Sequence, residues 1–107
     1  MQLSEVQQRF SRVEQCIDDA YQACQQSQSA TPELQDSIRQ LDQRADEARQ
    51  YIQGQDQQKI KQCVWELEEL SDRALEACKQ AGNVEPQLKQ AVQQAHSELS
   101  SLKHQMG

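Results

Sequence analysis

Four cysteines are the residues best equipped for chemistry in this chain, and their even number raises the possibility of a disulfide or a metal site. Cys16 and Cys24 are eight apart, about two helical turns, and Cys63 and Cys78 are farther apart still. No Cys-x-x-Cys or Cys/His cluster of zinc-site spacing accompanies them. Cys24 and Cys78 fall on the apolar seams of their segments, with Cys16 beside Ile17 and Cys63 beside Val64, where small buried hydrophobes belong. The spacing predicts structural thiols. A thiol-based redox or metal sensor using Cys16, Cys24, Cys63 or Cys78 is the alternative, and it requires at least one accessible thiol of lowered pKa.

His96 and His104 are also eight apart, too far along one helix to share an ion. A di-iron bundle places a Glu three residues before each ligating His; Gln93 and Ser101 stand there instead. A phosphotransfer histidine would want Lys at i+3 and Gly at i+4, whereas Leu99 and Ser100 follow His96. The acids Asp18, Asp19, Glu66, Glu68, Glu69, Asp72 and Glu76 read as solvated faces, because catalytic carboxylates need a desolvated pocket to separate their pKa values. There is no Gly-rich phosphate loop and no nucleophile constellation, so no enzyme, cofactor or metal is expected.

Protein contact is the remaining chemistry, and Trp65, Tyr21 and Tyr51 are its candidate residues, since Trp and Tyr are favoured at partner-binding surfaces. Trp65 stands out because the chain reads as a duplication at an offset of 54, which pairs it with Ser11. A fold that tolerates Ser at one of the two positions does not need a large apolar group at the other. Two roles stay open for Trp65: an interface anchor, or a cover over the edge of a thin core.

The elements that carry these residues follow from the spacing. Ala20–Leu34 and Ala74–Leu88 share one plan: Ala-x-x-x-Cys, small and polar residues, Pro eight after the Cys, then a new apolar rhythm. Val6, Phe10, Val13 and Ala20 map onto Ile60, Val64, Leu67 and Ala74; Ile38, Ala45, Ala48 and Ile52 map onto Val92, Leu99, Leu102 and Met106. Each stretch steps by threes and fours, the spacing of left-handed bundle packing. The expected fold is all-α, an antiparallel up-down-up-down four-helix bundle of two tandem hairpins, one domain over residues 1–107 with repeats 1–54 and 55–107.

Local signals place the ends. Ser4 with Gln7 reads as a capping box with Leu3 outside the first helix, Thr31–Pro32 and Pro86 as helix starts, and Gly82 as a stop. Gly54 is expected to take the left-handed conformation before Asp56 caps the third helix, although a continuous helix through it is the competing reading. That third helix has the widest apolar face: Ile60, Cys63, Val64, Leu67, Leu70, Ala74, Leu75, Ala77, Cys78 and Ala81. Cys24 and Cys78 would lie on diagonal helices, too far apart for a disulfide.

Composition narrows the function. Seventeen acids against eleven basic residues give a formal charge of −6 with no basic run, which disfavours nucleic acid. No apolar run is long enough to span a bilayer and no leader is evident at the N-terminus, so a cytoplasmic protein without membrane contact is expected. The function that fits is a non-enzymatic adaptor or regulatory module acting on a protein partner, possible also as a homodimer through the third helix. A small apolar ligand carrier, marked by a cavity beside Ala20, Ala45, Ala74 and Ala95, is a further alternative.

Overall fold

The computed structural model describes residues 2–106 and contains four α-helices: α1 (Leu3–Gln26), α2 (Pro32–Gln53), α3 (Gln57–Ala81) and α4 (Pro86–Met106). They form the expected four-helix bundle, 40 × 21 × 18 Å in extent. α1 packs on α2 and α4, and α3 packs on the same two, so α1 and α3 face each other across the core.

The core is one continuous cluster running the length of the bundle. Val6, Phe10, Val13, Ile17, Ala20 and Cys24 enter it from α1, and Leu34, Ile38, Leu41, Ala45, Ala48 and Ile52 from α2. α4 contributes Leu88, Val92, Ala95, Leu99 and Leu102. Alternating threes and fours keep one narrow stripe of each helix inward, while glutamines and charges take the remaining faces. Phe10, at 1 % exposure, is the largest side chain enclosed.

Along α3 the structure differs from expectation at three positions. Ser71 is wholly buried, whereas Leu70 and Leu75 are only partly covered. The inward row is Ile60, Val64, Leu67, Ser71, Ala74 and Cys78, which matches the α1 row at the 54-residue offset and sets Ser71 opposite Ile17 in that correspondence. Burial of a hydroxyl is tolerated because Ser71 Oγ donates to the Glu68 carbonyl at 2.7 Å, which leaves the helix a nearly apolar surface.

Four of the loop signals act as expected, Pro86 opening α4 among them. The Thr31 hydroxyl accepts from the Leu34 N–H at 3.2 Å with Pro32 opening α2, Asp56 Oδ1 accepts from the Lys59 N–H at 3.2 Å to cap α3, and Gly82, with φ of 77°, ends α3. Two signals are corrected. Ser4 does not cap α1: the Gln2 carbonyl accepts from the Glu5 and Val6 N–H groups, so Leu3 is already helical and packs against the core. Starting two residues earlier brings Leu3 into the helix ahead of Val6, and leaves Ser4 inside the first turn, where a cap has no function.

Gly54 is likewise not left-handed; its φ is −79°, and Gln55 takes φ of 59°. The turn closes by two reverse hydrogen bonds, Asp56 N–H to the Tyr51 carbonyl at 3.2 Å and Gln55 N–H to the Ile52 carbonyl at 3.1 Å. In such a helix stop the left-handed residue is the one just before the final donor, which here is Gln55. α2 therefore ends in a turn, and α3 is a separate helix.

Candidate interaction surface

Trp65 lies half-buried on the α3 side that meets α4, against the edge of the core. Lys61, one turn earlier on α3, holds its ammonium 5.3 Å from the Trp65 ring centre, and Lys103 of α4 holds its own at 5.4 Å. Both distances fall within cation–π range, so the indole is flanked by two positive charges. Lys103 Nζ is also 3.3 Å from Glu68 Oε2, which ties α3 to α4 just beside the indole. Next along the same groove, His96 Nε2 stands 3.6 Å from both Glu68 Oε1 and Asp72 Oδ1, beyond hydrogen-bond distance.

Lys61 serves a second feature. With Leu3, Val6, Gln57, Ile60 and Met106 it lines an open hollow of about 140 Å³ at the end of the bundle where α1 begins and α4 ends. Indole, lysines and hollow are thus joined through Lys61 into one strip. Lys61 is four residues before Trp65 and legible as its neighbour in the sequence; Lys103 and Met106 reach it only through the packing of α4.

The two tyrosines lie elsewhere. Tyr51, near the end of α2, sits under Lys59 of α3, whose ammonium is 5.2 Å from the ring centre. Tyr21 lines a hollow of about 200 Å³ between α1 and α2, with Cys24, Gln25, Ser27, Gln35, Ile38 and Arg39. The three aromatics therefore occupy three different grooves, and the structure does not gather them on one face.

The width of α3 is spent inside the bundle. Cys63, Leu70 and Ala77, seven apart, line the side where Glu66 pairs with Arg44 of α2, while Lys61, Glu68 and Leu75, also seven apart, line the side toward α4. Glu66 and Glu68, read from the sequence as solvated, are thus ties to neighbouring helices. On the α1–α2 side Glu14 pairs with Arg49. Close by, burial and the neighbouring Asp46 and Asp18 push the Asp42 carboxyl up.

All four cysteines are free thiols. Cys24, Cys63 and Cys78 are buried; Cys16 is half-buried in the α1–α4 groove. Burial pushes each thiol upward, assisted at Cys16 by Glu98 and Asp19 and at Cys78 by Cys24. Neutral thiols, which are poor nucleophiles and poor metal ligands, are what such surroundings favour. Among the described residues, no three His, Cys, Asp or Glu side chains are placed to hold a metal ion, and no helix is long and apolar enough to cross a membrane.

No protein-family model, curated protein or solved structure matches the chain, so the arrangement of its own residues is the ground for a functional reading.

Proposed function

We propose that this acidic bundle is a non-enzymatic adaptor or regulatory module of the cytoplasm that works by docking a protein partner, with Trp65 as the anchor of the contact. The observation that carries the reading is the placement of Trp65: a half-buried indole between Lys61 and Lys103, with Lys61 also lining a hollow at the end of the bundle. Aromatic side chains with a rim of charge are the usual centre of binding energy at protein interfaces. The negative net charge favours a protein partner over nucleic acid, and four unpaired thiols suit a reducing compartment.

Other readings draw less support from the same geometry. A thiol sensor needs a stabilised thiolate, and burial works against one at all four cysteines. A ligand carrier needs room beside the seam alanines, but Ala20, Ala45, Ala74 and Ala95 are each at most 4 % exposed and line none of the hollows described above. A homodimer through α3 would have to use the Trp65 strip, since Leu70 and Leu75 are already engaged with the core.

The test is affinity capture from a host lysate with the wild-type chain and Trp65→Ala, beside circular dichroism and light scattering. Loss of capture with unchanged helicity is expected. Unchanged capture would move the interface to another face, and loss of helicity together with capture would assign Trp65 to the core.

A further inference from the structure

We infer that the strip formed by Trp65, Lys61, Lys103 and the adjoining hollow receives an acidic peptide segment of the partner: one aliphatic side chain in the hollow, with carboxylates on either side of the indole. The inference rests on the docking reading above and specifies its ligand class.

Charge selects the class. The chain as a whole carries −6, yet this rim presents two ammonium groups within 5.4 Å of one indole centre. Among the described residues only one carboxylate, Glu68, is paired with either of them, and it engages Lys103, which leaves Lys61 exposed with no ion pair to a described residue. An approaching basic segment would meet repulsion here and attraction on the rest of the surface. An acidic one meets the reverse, so the strip both attracts and orients it.

Shape selects the anchor. The hollow, about 140 Å³, is on the scale of a single aliphatic side chain, and Leu3, Val6, Ile60 and Met106 supply its apolar wall. Lys61 joins the two parts: it lines the hollow, and its ammonium lies over the indole. Long basic side chains commonly cover apolar surface in this way while keeping the charge in water. A carboxylate next to the anchoring side chain would thus meet Lys61 without displacing it from the ring.

Trp65 is the only tryptophan in the chain, so its emission reports on the strip directly. The probe is a short capped peptide with one Leu flanked on each side by two Glu; companions carry Gln or Lys in place of Glu, or Ala in place of Leu. The Glu–Leu peptide is expected to shift Trp65 emission in a saturable manner that weakens with added salt. An exposed ion pair supports only a few-fold in affinity, so Lys61→Gln should weaken binding about three- to five-fold and Lys61→Glu about ten-fold or more. Lys89→Glu, at the other end of the bundle, should leave it unchanged. Circular dichroism of each variant confirms that it is folded, and Lys61→Gln tests the same charge if Lys61→Glu does not fold.

Equal binding of the Gln or Lys peptide, or of the Ala peptide, overturns the inference. So does a doubled mass in light scattering that Trp65→Ala abolishes, because a second copy would then occupy the strip. If no peptide moves the emission while wild type, and not Trp65→Ala, captures a lysate partner, the acidic-peptide inference falls and the docking reading stands. If Trp65→Ala captures as well as wild type, both fall.

Discussion

Ser29 donates its hydroxyl to Glu85 Oε1 at 2.6 Å, which ties the loop between α1 and α2 to the loop between α3 and α4 at the Cys24–Cys78 end of the bundle. The two residues are 56 positions apart and belong to different hairpins, so the bond joins the halves of the chain where no covalent turn does.

This bond predicts an acid-side loss of stability. The hydroxyls of Ser27 and Ser29 hold the Glu85 carboxyl below the ordinary glutamate value. A carboxyl lowered in the folded state stabilises the fold above the unfolded-state pKa and loses that contribution as pH falls through the folded value. The melting temperature of wild type minus that of Glu85→Gln should therefore be positive at neutral pH and shrink as pH drops below about 4.3. Asp42 acts in the opposite sense, since its carboxyl is raised, so only the difference between wild type and variant isolates Glu85. A flat difference from pH 7 to 3 would show that the loop bond contributes nothing in solution.

The α2–α3 turn should be improvable by exchanging its two central residues. Gln55 carries the left-handed backbone that glycine adopts at no steric cost, while Gly54 sits in right-handed geometry that any residue accepts. A Cβ at Gly54 would meet only the Gln50 and Tyr51 carbonyl oxygens, at 3.5 and 3.7 Å, ordinary contact distances. Gly54→Ala should stabilise by about 0.4–1 kcal/mol through the unfolded state, and Gln55→Gly by about 1 kcal/mol through relief of the left-handed strain. Urea denaturation of the single variants and the double variant measures both; destabilisation by Gln55→Gly would refute the assigned turn.

Thiol reactivity should rank by burial. Cys16, the one half-buried thiol, should react first with an alkylating reagent, and more slowly than a free cysteine at pH 7 because its thiolate is disfavoured. Cys24, Cys63 and Cys78 should label only as the bundle unfolds, and no Cys24–Cys78 cross-link should appear, since α1 and α3 are diagonal across the core. Mass spectrometry of native protein pulsed with iodoacetamide reads both outcomes. Fast labelling of a buried cysteine, or a native Cys24–Cys78 disulfide, would contradict the packing.

Most of the architecture was legible in the residues. The threes and fours of apolar spacing specify helices with one inward stripe, and Thr31–Pro32, Asp56 and Gly82 carry their instructions locally, in side chains or backbone freedom that act within a turn or so. Local rules failed where two neighbouring residues competed for one role. Leu70 and Ser71 both satisfy a helical period, and Ser71 takes the inward place because it continues the alternating row from Leu67 to Ala74 and Cys78, its hydroxyl satisfied within its own helix. Gly54 is the better left-handed residue by type, yet Gln55 holds that conformation because it is the residue that must turn the chain so that the Asp56 N–H reaches back to the Tyr51 carbonyl. The surroundings of Trp65 lay beyond any local rule. Lys61 is a helical neighbour visible in the sequence, but Lys103 and Met106 are nearly forty residues away or more, and only the antiparallel return of α4 brings them beside α3. Helix period is a property of the chain, whereas the charge and apolar surface around a single indole are properties of which helices become neighbours.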